Sequence, residues 1–497
     1  MKRPTPVSQI IALVVITFTI SACAIHHPLT KVAPLPNLTP DQPVNLGPGI
    51  ALHPDTIEPM EVEVFAIDLP TVVRVALADS IDVLQAQQTV EAARGQFDAA
   101  RNSIFPALAP TAVFNATNGR VRATRGNIVD VGFKTFRAFL AIDWVLNPGK
   151  TYYEIVAAKK RLMASEHTER AVAMQTLHNA ALQFYDLTLA QGRVANTKAA
   201  LAEAEELLRV SELHQRAGTG NPADLERARA RFAKRSREVV TEMNHFYQAS
   251  VILALTLRLE PQVTLVPNVD AISPVSLVSE NLALEELLGI AATFRPDLQA
   301  ISMLVKATQA DTGAALWGGF GPTFDTGYAI GGIRGFDVDN VSALSHETGF
   351  QNSQLLNAGV GLRLDLLTLG NLRTAGAVKE QMKLEALRRL DTVKAQVVST
   401  VQTGRASRKI ISLTEQETNA AESARRMINE GFNAGTATAL DVLQADEALA
   451  RARLSRTEAI VHYNQSQVDL IAALGVLNQE ALLPDQQSHT PNANQSP

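Results

Sequence analysis

One nine-residue segment occurs twice in this chain. Residues 217–225 read Ala-Gly-Thr-Gly-Asn-Pro-Ala-Asp-Leu, and residues 434–442 read Ala-Gly-Thr-Ala-Thr-Ala-Leu-Asp-Val. The same offset of 217 residues continues beyond the segment and pairs identical residues as far as Leu257 with Leu474. A repeat of this length indicates that the fold contains one structural unit twice. Any proposed fold must therefore account for two similar halves.

Each copy of the segment predicts a tight turn between two helices. Gly218 and Gly435 suit the left-handed position that ends a helix. The next helix then begins with a capping residue, Asn221 in the first copy and Thr438 in the second. On spacing alone, the acidic residue after each cap serves the helix N-terminus, where a negative charge is favourable. These two residues are Asp224 and Asp441.

The first 22 residues predict a secretory signal peptide. Two basic residues precede an apolar segment, residues 10–20, that is too short to span a bilayer. The segment ends at Ile20-Ser21-Ala22-Cys23, which resembles the lipobox of bacterial lipoproteins, so Cys23 is the candidate lipidation site. The alternative is a chance cysteine beside an ordinary cleavage site. Residues 23–69 are rich in proline and predict an extended, lipid-anchored tether.

The rest of the chain divides into two repeats with the same plan. Each repeat has a helix, a non-helical stretch, a long helix, the turn and a return helix. The first repeat spans residues 70–260, the second spans 282–477, and a proline-bearing link at 261–281 joins them. The tail at 478–497 is rich in Gln, Asn and Pro, which predicts disorder.

The predicted fold class is mainly α, built on long coiled-coil helices. The long helices, about 150–217 and 371–433, would each extend about 100 Å at 1.5 Å per residue. Each return helix is about half that length, so we expect two short helices to stack end to end beside each long one. The expected stacks are return helix 223–258 with helix 282–317, and helix 71–102 with return helix 439–474.

The non-helical stretches predict four β-strands. At 136–146 and 356–366 the even positions are apolar. The odd positions include Arg137 and Asp143 in the first stretch, and are all polar or glycine in the second. Similar alternation covers 323–330 and, more weakly, 107–117. Such strands fit a transmembrane barrel with a wet lumen; the alternative is a periplasmic sheet with one face packed on a core. The candidate lumen residues are Arg137, Asp143, Asp325, Arg363 and Asp365.

Four strands are too few to enclose a lumen, because about eight are the practical minimum. An open sheet edge in lipid would leave backbone N–H and C=O groups without partners. Three copies of the chain would supply twelve strands. A homotrimer that closes a twelve-stranded β-barrel is therefore the simplest arrangement.

Composition and motifs argue against other classes of function. The chain has 45 basic and 50 acidic residues, a net charge of −5, with no basic patch that would suggest nucleic-acid binding. It contains no H-E-x-x-H pattern, nucleophile elbow or P-loop. We therefore predict no enzyme activity, no metal site and no cofactor.

Several segments of the chain together carry a family resemblance. They are Gly431-Phe432-Asn433-Ala434-Gly435-Thr436, Leu440-Asp441-Val442-Leu443-Gln444-Ala445, Leu470-Ile471-Ala472-Ala473-Leu474-Gly475, Phe105-Pro106 and the 217–225 turn. On these segments the chain resembles, over about residues 70–477, the TolC-like family of outer-membrane efflux proteins.

The resemblance implies a trimeric twelve-strand barrel in the outer membrane, set on a long periplasmic α-barrel. It implies a passive exit duct for small molecules, which works with a periplasmic adaptor and an inner-membrane pump. The alternatives are the outer-membrane component of type I protein secretion, and a coiled-coil lipoprotein or adaptor without a pore.

The resemblance also implies roles for the turn residues. In the family the two turns close the periplasmic mouth, and acidic residues at the start of the return helix ring the pore. Asp441 matches a ring position, and Asp224 matches a position that helps to hold the closed state. Ala437 stands where a latching arginine is expected, and Gln444 replaces a second acidic ring residue. The predicted gate and adaptor site comprises Gly218, Thr219, Asp224, Gly435, Thr436, Asp441 and Gln444.

Overall fold

The fold is taken from a computed structural model of the 497-residue chain. The structure describes residues 64–78, 80–122, 126–218, 221–260, 262–268, 272–279, 282–336, 351–362, 366–434 and 436–482. The predicted signal peptide, Cys23 and most of the predicted tether lie outside these ranges. So do four of the predicted site residues, Thr219, Gly435, Arg363 and Asp365.

The chain up to residue 260 contains three strands and four helices in its described residues. They are β1 (Val64–Ile67), α1 (Leu69–Ala78), α2 (Ile81–Asn102), β2 (Ala107–Arg122), β3 (Ile128–Leu146), α3 (Pro148–Arg216) and α4 (Pro222–Thr256). The single helix predicted at 71–102 is two helices. Ser80 is extended, and its side chain accepts a hydrogen bond from the Val83 backbone N–H, so a new helix begins after it.

The chain from residue 261 onwards has the same order of long helix, turn and return helix. Its elements are β4 (Thr264–Pro267), α5 (Leu284–Phe294), α6 (Pro296–Phe320), β5 (Pro322–Phe336), β6 (Gln351–Leu362), α7 (Leu367–Asn433) and α8 (Ala439–Leu474). The helix predicted at 282–317 is also two helices. Arg295 lies before Pro296 and is extended, with φ −62° and ψ 116°, because the proline ring disfavours a helical conformation there.

The two long helices are confirmed, and short helices cover them along both halves. α3 has 69 residues and α7 has 67, which gives about 100 Å each. α6 and α8 each lie between α3 and α7 and contact both, whereas α2 and α4 contact α3 on its other side. None of the helices in the described residues is both long and apolar enough to cross a bilayer.

The short helices stack in a different order from the expected one. α8 ends at Gly475, which has φ +77° and lies so close to Arg295 that an added Cβ would be 2.7 Å from the Arg295 Cα. Arg295 also donates through Nη1 to the Ala473 carbonyl (3.3 Å). α8 therefore stacks under α6. The expected stacks of 223–258 with 282–317 and of 71–102 with 439–474 are wrong, because helix lengths alone fit either arrangement.

The main hydrophobic clusters lie where the short helices meet, half-way along the long ones. One cluster joins β1, α1 and β4 to Leu187 of α3 and to Leu253 of α4, both fully buried. A second joins α3 to α8, and a third joins α5, α7 and α8. Leu482, in a short 3₁₀ helix at Glu480–Leu482, packs in the second cluster, so this part of the predicted tail is ordered.

A small sheet lies at the same level as these clusters. β1 and β4 pair in parallel, with Val64 opposite Thr264. β1 falls within the predicted tether and β4 within the predicted link. Each strand has only four residues, which is too short for a pattern of alternation to predict it.

The four predicted strands form one antiparallel sheet in the order β2-β3-β5-β6. They have 16, 19, 15 and 12 residues, which is longer than the predicted ten or so. β2 and β6 are the sheet edges, and among the described residues each pairs with a strand on one side only. The α-helical fold class with a four-stranded β part is therefore confirmed.

Candidate functional site

The first turn contains the predicted left-handed glycine and the predicted helix cap. Gly218 has φ +73° and follows the last residues of α3, a conformation that glycine adopts without strain. Asn221 caps α4, and its side-chain oxygen accepts from the Ala223 backbone N–H (3.0 Å). Asp224 accepts from Arg227 Nη1 (2.8 Å) in its own helix. The position of Asp224 thus fits a role at the helix N-terminus.

The second turn contains the predicted capping box. Asp441 Oδ2 accepts from the Thr438 backbone N–H (2.8 Å) and from the Thr438 hydroxyl (2.6 Å), while the Asp441 N–H donates to that hydroxyl oxygen (3.3 Å). These hydrogen bonds lower the pKa of Asp441, because they favour the ionised carboxylate. Thr436 donates from its N–H and its hydroxyl to the Gly431 carbonyl. Gln444 is exposed on the following turn.

The two turns belong to helical hairpins that pack against each other. We refer to α3 with α4 as the first hairpin and to α7 with α8 as the second. Close to the turns, Leu207 and Ala228 of the first hairpin share a buried cluster with Val442 of the second. The His214 and Phe432 rings lie 6.2 Å apart across the same junction. The turn regions therefore form one packed end.

A group of charged side chains crosses between the hairpins above this end. Glu203 of α3 forms ion pairs with Arg425 of α7 (3.4 Å) and Arg453 of α8 (3.5 Å). Burial raises the pKa of Glu203, although the two arginines act in the opposite direction.

The same group includes a second set of ion pairs between the hairpins, centred on Glu447 of α8. Glu447 pairs with Arg231 of α4, and also with Lys234 and Arg235 at 3.5 Å each. Burial tends to raise its pKa, but these three cations outweigh burial and lower it. The residues of these two sets of ion pairs form what we call the interhairpin charge cluster. Its seven members are Glu203, Arg231, Lys234, Arg235, Arg425, Glu447 and Arg453.

Sequence patterns alone did not predict this cluster. The nearest sequence signal was the acidic pair Asp446-Glu447 one turn beyond Gln444, together with an arginine-rich α4. The partners in one pair lie 216 residues apart in the chain. Sequence spacing within a helix does not reveal such contacts.

The register of the large sheet brings three of the predicted lumen residues to one face. Asp143 lies opposite Gly327, and Asp325 lies opposite Val145 and Gly359. Arg137 shares the face of Asp143 because side chains alternate along a strand. Asn357 donates to Asp325 Oδ1 (3.3 Å) on the same face.

The opposite face of the sheet is mainly apolar. Its residues pair with one another across the strands, for example Phe136 with Phe114 and Ile142 with Tyr328. The rest of the apolar set includes Leu108, Ala138, Leu140, Trp144, Phe324, Ile330, Leu356, Val360 and Leu362. The two-faced character that alternation predicted is therefore present in the sheet. No group of three His, Cys, Asp or Glu side chains placed to hold a metal ion occurs in the described part of the chain.

Two long helical hairpins and an antiparallel sheet with one apolar face together define the fold of an outer-membrane channel protein. The chain belongs to the outer membrane efflux protein family, whose profile matches residues 72–257 and 287–476. None of the curated protein sequences matches the chain.

Solved outer-membrane proteins share this fold. VceC from Vibrio cholerae has 20% identity and a TM-score of 0.69, covering 82% of this chain and 96% of its own. The Campylobacter jejuni outer membrane channel CmeC has 17% identity and a TM-score of 0.68, covering 82% and 85%. The open state of the Neisseria gonorrhoeae outer membrane channel MtrE has 19% identity and a TM-score of 0.65, covering 82% and 88%.

Proposed function

We propose that the chain is the outer-membrane exit duct of a tripartite efflux system and passes small molecules without chemistry of its own. The observation that carries the proposal is the large sheet, with Arg137, Asp143 and Asp325 on one face and an apolar opposite face. A sheet of this kind is stable in a bilayer when its apolar face meets lipid and its charged face lines water. The similar proteins named as outer membrane channels support the same function.

A homotrimer is the oligomer that we propose. Among the described residues, β2 and β6 each have one edge that pairs with no strand, and such edges must find partners in lipid. Apolar side chains are also exposed along the two outermost helices of the lower half, α4 and α7. Rows of this kind mark interaction sites, and in a closed ring α7 of one copy meets α4 of the next. The exposed residues are Val240, Ile252, Leu255, Ile410, Leu413 and Met427.

The packed end of the hairpins is proposed as the periplasmic gate and as the docking site for an adaptor protein. The sequence-predicted residues described there are Gly218, Asp224, Thr436, Asp441 and Gln444; Thr219 and Gly435 complete the predicted set. Asp441 has two roles in this proposal. It caps α8, and in a trimer three such carboxylates form a ring that binds cations.

The proposed location is the outer membrane, with a lipid anchor on Cys23 and a long periplasmic part. The anchor rests on the Ile20-Ser21-Ala22-Cys23 sequence alone. Mass spectrometry of the mature N-terminus tests it. A Cys23 that carries fatty acids is the expected result, and an unmodified N-terminus at another residue would contradict the anchor.

Ion conductance in planar bilayers tests the channel itself. The purified full chain should run as a heat-resistant trimer on gels and should conduct ions. Asp441→Asn should weaken block by divalent cations several-fold, because each substitution removes a charge from the ring. Glu91→Gln is the matched control, because Glu91 is exposed in α2 and pairs with Arg94 of its own helix (2.8 Å). If intact trimers conduct no ions, the proposed channel function is wrong. If divalent cations block Asp441→Asn as strongly as wild type, Asp441 does not line the pore.

A further inference from the structure

A cavity of about 690 Å³ lies beside the third hydrophobic cluster, near the middle of α7. Its walls are α7, α8, the start of α5 and the part of the link that precedes α5. Two buried side chains of α8 hold the link in place. Asn464 Oδ1 accepts from the Val275 N–H (2.8 Å), and Gln467 Oε1 accepts from the Leu277 N–H (3.3 Å). A volume of this size is typical of a small-molecule site.

Three cations of α7 line one side of this cavity. Arg405, Arg408 and Lys409 are three and four residues apart, so their side chains share one face of the helix. Like charges at this spacing repel one another unless a counter-charge is present. Glu415 also lines the cavity, but its carboxylate pairs with Arg456 (3.7 Å). Arg405 and Lys409 form no ion pair within the part of the chain that the structure describes.

Two buried side chains of α8 add hydrogen-bond donors to the lining. Tyr463 is 3% exposed and Gln467 is 6% exposed. The Tyr463 hydroxyl and the Gln467 Nε2 have no hydrogen-bond partner among the described residues. Buried polar groups without partners are unfavourable. Since the amide nitrogen only donates and the hydroxyl can donate, a carboxylate or phosphate oxygen would satisfy both.

Gly404 keeps the space beside Gln467 open. It is buried within α7, where glycine is less favourable than alanine. Apart from its chain neighbours and the backbone of its own helix, the described atom nearest to an added Cβ is Gln467 Nε2, at 3.5 Å. This is an ordinary contact, so close packing of the helices does not require glycine here. A larger side chain at position 404 would instead extend into the cavity.

The remaining walls of the cavity are largely apolar. A site with apolar walls and a few placed polar groups suits a small organic ligand. An anionic group would meet the cations and the donors, and an apolar body would contact the rest of the lining. The apolar lining residues are Val278, Leu282, Leu287, Val401, Ile411 and Leu470.

We propose that this cavity is a binding site for an amphipathic anion, a small molecule that carries a carboxylate or phosphate group on an apolar body. The anionic oxygens accept hydrogen bonds from Arg405, Lys409, Tyr463 and Gln467. Gly404 lies 30 residues before Ala434, so the site is about 45 Å from the second turn. It is therefore separate from the proposed gate, and binding there does not require the chain to conduct ions.

Titration calorimetry with three naphthalene compounds tests the proposal on the full chain in phosphatidylcholine nanodiscs. Naphthoate carries a carboxylate, naphthyl phosphate carries a phosphate, and naphthol carries neither. We expect the two anions to bind, and the tighter of them identifies the preferred anionic group. Naphthol should bind at least about tenfold more weakly, because it lacks the charge-assisted hydrogen bonds. Titration of empty nanodiscs corrects for partition into lipid.

Substitution of the cations tests where the anion binds. Arg405→Gln and Lys409→Gln should each raise the Kd of the tighter anion about tenfold, because each removes one charge-assisted hydrogen bond. The matched control is Lys383→Gln. Lys383 is an exposed cation of the same helix, and it pairs with Glu380 (2.9 Å) outside the cavity. Its variant should bind the anion with the wild-type Kd.

Two further variants test the interior of the cavity without changing its charge. Tyr463→Phe removes one donor at nearly constant shape and should also raise the Kd about tenfold. Gly404→Leu fills the cavity and should abolish binding. Helical circular dichroism checks that each variant is folded.

The outcomes separate this site from the proposed channel. Weaker binding in the cavity variants, with wild-type binding in Lys383→Gln, supports the site even if the chain conducts no ions. If the folded wild-type chain binds neither anion, the proposal is wrong, whatever the conductance. Equal Kd values for wild type, Arg405→Gln, Lys409→Gln and Tyr463→Phe would also overturn it, because the anion would then bind elsewhere.

Discussion

Replacement of Gly475 by alanine tests how α8 is joined to α6. Gly475 has φ +77°, a conformation that destabilises alanine by about 1–2 kcal/mol. The added Cβ would also lie 2.7 Å from the Arg295 Cα, 2.8 Å from its N and 3.0 Å from the Phe294 carbonyl carbon. These are backbone atoms that cannot rotate away, and overpacking of this kind costs about 1–3 kcal/mol. We therefore expect a loss of about 3 kcal/mol per chain from the two effects.

Thermal unfolding in detergent, followed by helical circular dichroism, measures this loss. The unfolding entropy of globular proteins is about 2.1 cal/mol/K per residue, which gives about 0.8 kcal/mol/K for the roughly 390 residues that the structure describes. A loss of about 3 kcal/mol then lowers the unfolding midpoint by about 4 °C.

Gly95→Ala is the control for this measurement. Gly95 lies inside α2, and apart from its chain neighbours and the backbone of its own helix no described atom lies within 4 Å of the position of an added Cβ. Alanine is favoured over glycine there by about 1 kcal/mol, so the midpoint should rise by about 1 °C. Equal midpoints for Gly475→Ala and the wild-type chain would refute the close junction between α8 and α6.

Three further predictions concern the sheet, the junction and the core. Asp143→Asn combined with Asp325→Asn should lower the ratio of cation to anion permeability in bilayers, and an unchanged ratio would place these residues outside the conducting path. Asp297 is half-buried, yet its pKa is lowered because the bidentate Arg295 contact outweighs desolvation. The stability that it contributes is therefore present above its ordinary pKa of about 4 and is lost as the pH falls through the lowered value. Asp297→Asn should accordingly lower the unfolding midpoint at neutral pH, and the difference from wild type should shrink in acid; a constant difference would contradict this assignment. Leu187→Ala should lower the free energy of unfolding by about 3 kcal/mol. Leu213→Ala, at an exposed position, should change it by less than about 0.5 kcal/mol. Equal losses for the two variants in denaturant titrations would contradict the assigned core.

The elements with a regular period could be predicted from the sequence. Alternation at 136–146 placed Arg137 and Asp143 on one face, and the observed register confirms that they share it with Asp325. The caps at Asn221 and Thr438 were also predicted, since capping depends on residues a few positions apart. Local rules were therefore sufficient for the strands, the long helices and the turns.

Features that depend on distant residues could not be predicted in this way. The stacking of α8 under α6 depends on the approach of Gly475 to Arg295, and nothing in the helix lengths distinguishes it from the alternative. The pairing of Arg231 with Glu447 likewise requires the packed hairpins. The break before Pro296 is a different case, because the arginine-proline pair was a sequence signal that the prediction did not use.

The columns of stacked short helices differ mechanically from the long helices beside them. α3 and α7 run unbroken from the sheet to the turns, so a force applied along either one is carried by a continuous hydrogen-bonded rod. The neighbouring column of α8 and α6 is interrupted half-way along, where Gly475 contacts Arg295. Bending should therefore concentrate at this level, and the elastic resistance of the two continuous helices should restore the straight form.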